Sequence, residues 1–153
     1  MKALTEAIYA IALTLWIGGL WAIGYLVAPT LFYSLPDRTL AGMLAGKLFT
    51  LASYVGIGCA VYLLLFRLVR FGGASFKHAI FWLVLVLLVL TLAGEFGVQP
   101  ILASLRNQAL PKGVMESVFR DRFAAWHGVA SVLYLIQTMV GIVLVWLHAR
   151  SLR

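Results

Sequence analysis

The sequence predicts an all-α integral membrane protein, an up-down bundle of four transmembrane helices in a single domain over residues 1–153. The first observation is composition, since 63% of the residues are hydrophobic and only 11% are charged. Soluble domains are about half apolar and about a quarter charged, because polar side chains must cover their surface. This composition excludes an ordinary soluble enzyme and a disordered tail, and the single cysteine, Cys59, excludes a disulfide scaffold.

Four apolar runs are the second observation, because each is long enough to cross a hydrocarbon layer of about 30 Å, which takes about 20 helical residues. Helices are expected because backbone N–H and C=O groups in lipid must be satisfied within the segment. The runs predict spans over about residues 7–28, 48–66, 79–98 and 123–147. The first run is too long for the apolar region of a signal peptide, so we expect a retained helix.

The distribution of charge is the third observation. The net charge of +7 could suggest a nucleic-acid partner, but the twelve Lys and Arg residues fall almost entirely between the apolar runs. Groups that are excluded from hydrocarbon and attracted to lipid headgroups are placed in this way, so we expect no nucleic-acid partner. Basic residues alone flank the short turn at residues 71–75. We therefore expect this turn and both termini on the cytoplasmic side of a bacterial inner membrane.

The two longer connections predict amphipathic helices that lie along the membrane surface before the second and fourth spans. An irregular loop is the alternative for each. The shared apolar faces are Leu40, Met43, Leu44 and Leu48 in the first connection, and Val114, Met115, Val118 and Phe119 in the second.

The two halves of the chain resemble one another where the first and third spans end. Residues 24–29 read GYLVAP and residues 94–100 read GEFGVQP. Each is followed by a connection that holds one methionine, Met43 or Met115. A two-helix unit repeated in tandem would relate the halves by an axis along the membrane normal. Chance similarity among apolar helices is the alternative.

Polar side chains in lipid are costly, so those within the spans are the candidates for function. Glu95 and Tyr25 lie near the ends of the third and first spans, and His127 and Lys47 lie near the beginnings of the fourth and second. An up-down bundle brings these four residues to the same end, within about two helical turns of the interface. We expect a ligand-binding or proton-coupling site there, on the extracytoplasmic side. Its predicted residues are Glu95, His127, Tyr25, Lys47, Trp21, Ser131 and Tyr134.

Each predicted span also carries a stripe of polar and small residues at helical spacing, which is expected to face inward because lipid rewards only apolar contact. The stripes are Thr14, Gly18, Trp21, Tyr25 and Ala28; Lys47, Thr50, Tyr54 and Gly58; Thr91, Glu95 and Gln99; and His127, Ser131, Tyr134, Thr138 and Gly141. Alternatively, the polar stripes only hold the helices together by hydrogen bonds.

Small residues at a spacing of four predict close helix packing, either within the chain or with a second copy or another membrane protein. The predicted packing positions are Gly18, Gly24, Gly42, Gly46 and Gly97.

Three classes of function stay open from these residues. The first is a bundle that binds or moves a small solute or ion through its polar core, and the second is a non-catalytic partner subunit of a membrane complex. The third is a haem or copper protein, in which His127, Met43 and Met115 would be the metal ligands for copper. The sequence requires no cofactor, and it lacks a nucleophile elbow, a phosphate loop and a zinc-protease motif, so it does not favour an enzyme.

Several motifs resemble those of a bacterial membrane family of unknown function that is related to eukaryotic transmembrane protein 205, which is associated with cisplatin resistance. The motifs are LWIGGLW at residues 15–21, APTLF at 28–32, AGMLAGKLF at 41–49 and RFAAWHG at 122–128. More remotely, the chain resembles copper-resistance-D-like membrane domains and a haem-pathway membrane oxidase. The resemblance implies a four-helix inner-membrane protein, and it supplies no agreed catalytic residues.

Overall fold

The computed structural model describes residues 2–110 and 113–151, with side chains from Leu4 onward. The described residues form helices joined by short connections, without a strand. Four of the helical segments are long and apolar enough to cross a membrane, and we call them the first to fourth spans: Leu4–Ser34, Arg38–Lys77, Ala79–Ala109 and Arg120–Ser151. The prediction of an all-α bundle of four membrane helices is confirmed.

Two of the spans consist of two α-helices joined by a π-helical segment. The elements in chain order are α1 (Lys2–Ala22), a first π-helical segment (Ile23–Val27), α2 (Ala28–Ser34), α3 (Arg38–Phe71), a 3-10 turn (Gly72–Lys77), α4 (Ala79–Leu92), a second π-helical segment (Ala93–Val98), α5 (Gln99–Ala109), a short 3-10 turn (Val114–Glu116) and α6 (Arg120–Ser151).

Both π-helical segments stand where a proline follows. Pro29 and Pro100 are each the second residue of the α-helix that comes next, α2 and α5. A proline has no N–H, and its ring clashes with the carbonyl four residues earlier. Wider π-type turns accommodate this clash without ending the helix. Because the two segments hold the equivalent pairs Gly24-Tyr25 and Gly94-Glu95, they support the predicted repeat of a two-helix unit.

The predicted surface helix before the second span is wrong. The Asp37 carboxylate accepts hydrogen bonds from the backbone N–H groups of Thr39 and Leu40, at 2.8 and 3.2 Å, and so caps α3 at its beginning. No proline follows within α3, which runs unbroken for 34 residues, about 50 Å at about 1.5 Å per residue. Met43 therefore lies in the early turns of the span itself.

The predicted helix before the fourth span is also wrong, and the irregular alternative is correct there. The Ser117 hydroxyl donates to the Val114 carbonyl at 2.8 Å, and its oxygen accepts from the Phe119 N–H at 3.2 Å. Such local side-chain bonds compete with the helical pattern, because they offer the backbone groups another partner. The third span instead continues through α5 to Ala109, well beyond its predicted end at residue 98.

The core occupies the end of the bundle that carries the turn Gly72–Lys77. We call it the packed end. The opposite end, where the connections at residues 35–37 and 110–119 lie, is called the open end. Large side chains of the first span enter small gaps at the packed end and the middle of the bundle: Trp16 packs on Gly56, and Ile17 packs on Gly141. The core cluster is Tyr9, Leu13, Trp16, Ile17, Ala60, Leu63, Ile80, Val84, Leu87 and Leu144.

The predicted inward stripes are correct for the third span and for Tyr134, Thr138 and Gly141 of the fourth, where His127 and Ser131 are exposed. They are wrong for most of the first and second spans. Thr14, Gly18 and Trp21 are exposed, and so are Lys47 and Tyr54. In these two spans the inward face is built from large apolar side chains in the first and from small apolar residues in the second. The inward residues are Leu13, Trp16, Ile17 and Leu20 in the first span, and Ala41, Ala45, Gly56 and Ala60 in the second.

Candidate functional site

A cavity of about 590 Å³ lies at the open end, and every span contributes to its wall. The apolar part of the wall includes Trp16, Leu20, Phe49, Val98, Leu102 and Leu133. Polar groups enter it from all four spans: Tyr25, Ser53, Thr91, Gln99, Arg106, His127, Ser131, Tyr134 and Gln137. A largely apolar wall with a few convergent polar groups is typical of small-molecule sites, whose volumes run from about 300 to about 1,000 Å³.

Tyr134 joins the fourth span to the first beside the first π-helical segment. Its hydroxyl donates to the backbone carbonyl of Leu20. Its ring lies so close to Gly24 that a Cβ there would stand 2.7 Å from the Tyr134 Cζ. The absence of a side chain at Gly24 therefore allows the tyrosine to reach the neighbouring backbone.

Tyr25 makes a second connection between the same two spans. Its hydroxyl donates to the Thr138 Oγ1 at 3.0 Å, and the Thr138 hydroxyl donates to the Tyr134 carbonyl at 2.9 Å. The rings of Tyr25 and Tyr134 meet edge-on at 6.2 Å, and Phe49 meets Tyr134 in the same way at 5.3 Å. Three aromatic rings thus form one side of the cavity.

The π-helical geometry brings Tyr25 to the cavity even though the preceding stripe residues of its span face outward. A π-type turn holds more residues than an α-turn, so it changes which face of the helix the following residues occupy. Gly18 and Trp21, before the segment, are exposed on the outer side, whereas Tyr25 and Ala28 line the cavity.

Glu95 lies in the second π-helical segment, in the same position of the repeat as Tyr25. Its side chain is only 8% exposed, and its Oε2 atom has no hydrogen-bond partner among the described residues. It is not itself part of the cavity wall, but Thr91, Gly94 and Val98 of the same span are. A buried carboxyl oxygen without a donor is costly in an apolar setting, so it is a group that a donor could satisfy.

His127 lies where the cavity meets the exposed surface of the fourth span. It is exposed, lines the cavity, and stacks on Phe123 with ring centroids 5.9 Å apart and planes at 9°. Ser131, one turn further on, also lines the cavity, and its hydroxyl donates to the His127 carbonyl at 2.9 Å.

Besides Glu95, two predicted site residues lie outside the cavity wall. Lys47 and Trp21 are exposed on the outer faces of the second and first spans. The structure thus brings Tyr25, His127, Ser131 and Tyr134 together around the cavity, with Glu95 behind its wall.

Arg106 is the cavity residue of greatest interest that the sequence analysis missed. Its guanidinium lies 5.3 Å from the centre of the Phe123 ring, and it covers Gly46, where a Cβ would stand 2.8 Å from Nη1. In the sequence alone, a basic residue near the end of a span indicates topology. The missed signal is the spacing to Leu102, which is buried four residues earlier on the same face of α5.

Gln137 was also missed by the sequence analysis. It is 8% exposed and lines the cavity three residues after Tyr134. A single amide in the middle of an apolar span was the available signal, because a polar group at that depth needs a partner or a ligand.

A comparison with known protein families agrees with the expected resemblance to a family of unknown function. The family described as Domain of unknown function (DUF4149) matches residues 11–111. The chain belongs to the DUF4149 family. No curated protein and no solved structure matches it. The matched region holds Tyr25, Glu95 and Arg106 but ends before the fourth span, so the DUF4149 match does not include His127 or Tyr134.

The predicted packing glycines of this DUF4149 chain fall into two groups. Gly24, Gly42 and Gly46 face other parts of the chain, where a Cβ would meet Tyr134, Phe32 and Arg106. Gly18 and Gly97 have no described atom within 4 Å of a Cβ position. Contact of these outward glycines with a second copy or another membrane protein stays a prediction.

The described residues do not assemble the metal ligands that the sequence suggested. Within residues 2–110 and 113–151, no group of three or more His, Cys, Asp or Glu side chains is placed to hold a metal ion. Met43 and Met115 are exposed and do not line the cavity with His127. His78 packs on Phe71 and His148 packs on Tyr9, both at the packed end. His127 lies at the open end. A copper or haem role stays a prediction.

Proposed function

We propose that this membrane protein binds a small, largely apolar solute in the open-end cavity. The observation that carries the proposal is the cavity itself, about 590 Å³ in volume and walled by all four spans. Its volume and its mainly apolar wall match those of sites that enclose small molecules.

The polar groups of the wall would orient the solute. The hydroxyls of Tyr25 and Tyr134 are committed to Thr138 and Leu20, so they serve mainly to fix the wall. His127 and Gln137 have side-chain donors and acceptors at the cavity. We propose that His127, together with Glu95 behind the wall, supplies the ligand or proton group.

Movement of the solute across the bilayer would need a second step. Leu63, Leu87 and Leu144 are fully buried and fill the packed end. A path through the bundle would have to separate them, which costs the contacts of a close-packed core. The geometry therefore supports binding more directly than transport.

A cavity-filling pair of variants tests the proposal. Ala130 lines the cavity, whereas Ala125 is exposed on the same span. We expect small molecules retained by the purified protein, detected by native mass spectrometry, to be lost in Ala130→Phe and kept in Ala125→Phe. Equal retention in both variants would show that the bound molecules lie elsewhere, and this result would overturn the proposal.

We propose a relation of this family to transmembrane protein 205 and to copper-resistance-D-like domains. We also propose a bacterial inner-membrane location with both termini in the cytoplasm. The location is supported by the basic residues Arg67, Arg70 and Lys77 around the turn Gly72–Lys77. In a Cys59→Ala background, Ala74→Cys and Asn107→Cys mark the two ends. An impermeant thiol reagent added to spheroplasts should label only Asn107→Cys, and labelling of Ala74→Cys instead would reverse the orientation.

A further inference from the structure

We infer that the ligand of the open-end cavity is a single-chain amphiphile with an anionic head group, which Arg106 binds at the surface of the bundle. This inference rests on the proposed solute-binding function and names the chemical class of the solute.

The charges of the cavity wall favour an anion. Arg106 is the one permanently charged side chain among the described lining residues, and His127 is the one imidazole. None of the described lining residues is Asp or Glu. An anion that enters the cavity therefore meets a cation without competition from a carboxylate in the wall.

Among the residues that the structure describes, no carboxylate pairs with Arg106. In the part of the chain that the structure describes, the ion pair that forms is Arg70 with Glu6, at the packed end. A guanidinium that is half-buried without a counter-ion is costly, and a carboxylate or phosphate can pair with its fork of N–H donors through two parallel hydrogen bonds.

The surroundings of Arg106 hold it in place for such a ligand. The guanidinium packs between Gly46 of the second span and the ring of Phe123 of the fourth. The same Phe123 ring stacks on His127. The three side chains Arg106, Phe123 and His127 thus form a continuous group at the surface of the cavity, where a head group can stay in contact with water.

The depth of the cavity calls for a long apolar body. Along the third span the wall extends from Arg106 to Thr91, fifteen residues, or about 22 Å at about 1.5 Å per residue. Between them the wall of this span holds Val98 and Leu102 with one polar residue, Gln99, and Leu20 adds an apolar side chain opposite. A chain of methylene groups would gain about 0.8 kcal/mol for each CH₂ it removes from water.

Glu95 favours the same orientation. It lies eleven residues deeper than Arg106 on the same span, about 16 Å along the axis, and its Oε2 has no donor. A negatively charged head group is disfavoured near a carboxyl group and favoured near a guanidinium. The head therefore belongs at Arg106 rather than at the depth of Glu95.

The test is competition for saturable binding of radiolabelled oleate to the full chain in phosphatidylcholine nanodiscs. The unlabelled competitors share the same oleoyl or oleyl chain: oleate, lysophosphatidic acid, oleyl alcohol and oleylamine. We expect the two anionic competitors to displace the label at concentrations at least about tenfold lower than the alcohol and the amine require, because each should gain a charge-assisted pair. The ranking of oleate against lysophosphatidic acid separates a carboxylate head from a phosphate head.

Three variants of basic residues at the open end make the test specific. Arg106→Gln should weaken oleate binding about tenfold and leave competition by oleyl alcohol unchanged. Arg106→Lys should keep part of the affinity, because it keeps the charge but not the planar fork. Arg122→Gln, at an exposed residue of the same end, should match the unmodified protein.

The outcomes separate the two claims. Equal competition by the alcohol and the acids, with Arg106→Gln unchanged, would overturn the anionic class and leave solute binding in the cavity standing. Preference for the amine would overturn it as well, and would assign the head group to Glu95. No saturable binding of any probe, together with equal small-molecule retention in Ala130→Phe and Ala125→Phe, would overturn the proposed function itself.

Discussion

The packed end and the open end are built from the same four spans, yet one is filled and the other is hollow. At the packed end, branched side chains such as Leu63 and Leu87 meet in the centre and are fully buried. At the open end, the wall includes small residues such as Ala45, Ala52 and Ala130 beside larger ones, and a cavity is left between the spans. The difference shows that uniform hydrophobicity along a span does not give uniform packing, because packing depends on the volumes that meet at each level.

Irregular backbone is also confined to one end. Both π-helical segments lie in the open half, beside the cavity, and each is followed by a proline. Helical irregularities of this kind are frequent at functional sites. The packed half consists of regular helix joined by the turn Gly72–Lys77, whose Ser75 hydroxyl donates to the Arg67 carbonyl at 2.7 Å.

Both ends bury polar atoms, but only at the open end does a cavity lie beside them. At the packed end, the Arg67 Nε and the Tyr9 hydroxyl have no hydrogen-bond partner among the described residues. Arg67 lies over the ring of Phe71, 5.2 Å from its centre, and Tyr9 packs on Phe66 and His148. These groups are covered by aromatic rings, whereas Glu95 is next to a cavity that a ligand could enter.

The largest expected effect comes from truncating a leucine at each end. Leu87→Ala removes a fully buried side chain from the packed end and should lower the free energy of unfolding by about 3 kcal/mol, because the surrounding residues cannot close the gap. Leu102→Ala, in the cavity wall, should cost about 1–2 kcal/mol less, since one side of this leucine already borders a void. Reversible unfolding in mixed detergent micelles measures both. Equal losses would contradict the contrast between the two ends.

The next effect comes from adding a methyl group at a glycine of each end. A Cβ at Gly56 would stand 2.7 Å from the Trp16 Cδ1, and Trp16, although it borders the cavity, is packed into the core cluster and is only 3% exposed. Gly56→Ala should therefore cost about 2 kcal/mol, whereas Gly24→Ala should cost about 1 kcal/mol, because the Tyr134 ring can shift into the cavity.

Gly58→Ala is the matched control, since no described atom lies within 4 Å of a Cβ there. It should be neutral or slightly stabilising, because alanine favours helix over glycine. A larger loss in Gly24→Ala than in Gly56→Ala, measured in the same micelles, would show that the open end is the more rigid of the two.

A smaller effect is expected from the hydrogen bond between the first and fourth spans. Tyr25→Phe removes the hydroxyl that donates to Thr138, and it should cost about 0.6 kcal/mol, the average for such bonds within membrane bundles. A double-mutant cycle with Thr138→Val isolates this bond. Additive losses in the cycle would mean that the two side chains are not coupled.

The smallest expected effect is at the surface of the packed end. Arg70 and Glu6 form an ion pair at 2.8 Å, but both side chains are well exposed. Glu6→Gln should change the stability by no more than about 0.5 kcal/mol, and added salt should remove the difference. A salt-independent loss of 1 kcal/mol or more would indicate that this pair is shielded from solvent.

Several features of the site were accessible from the sequence for a clear reason. Glu95 and His127 stood out because ionisable residues are rare in apolar runs, and the up-down order placed Tyr25 with them at one end. Arg106 was missed because a basic residue near the end of a span usually marks the interface. Its place in the cavity depends on the continuation of the third span through α5, which the sequence analysis ended at residue 98.

By itself the sequence determined that this chain forms four membrane helices, because the length and apolarity of each run are local properties that lipid selects directly. Only the tertiary structure decided which face of each helix turns inward. Where nearly every residue is apolar, the direction is set by the fit of large side chains into small ones, as with Trp16 on Gly56 and Ile17 on Gly141. The cavity depends on the same fit, because it lies where the meeting side chains are too small to fill the space.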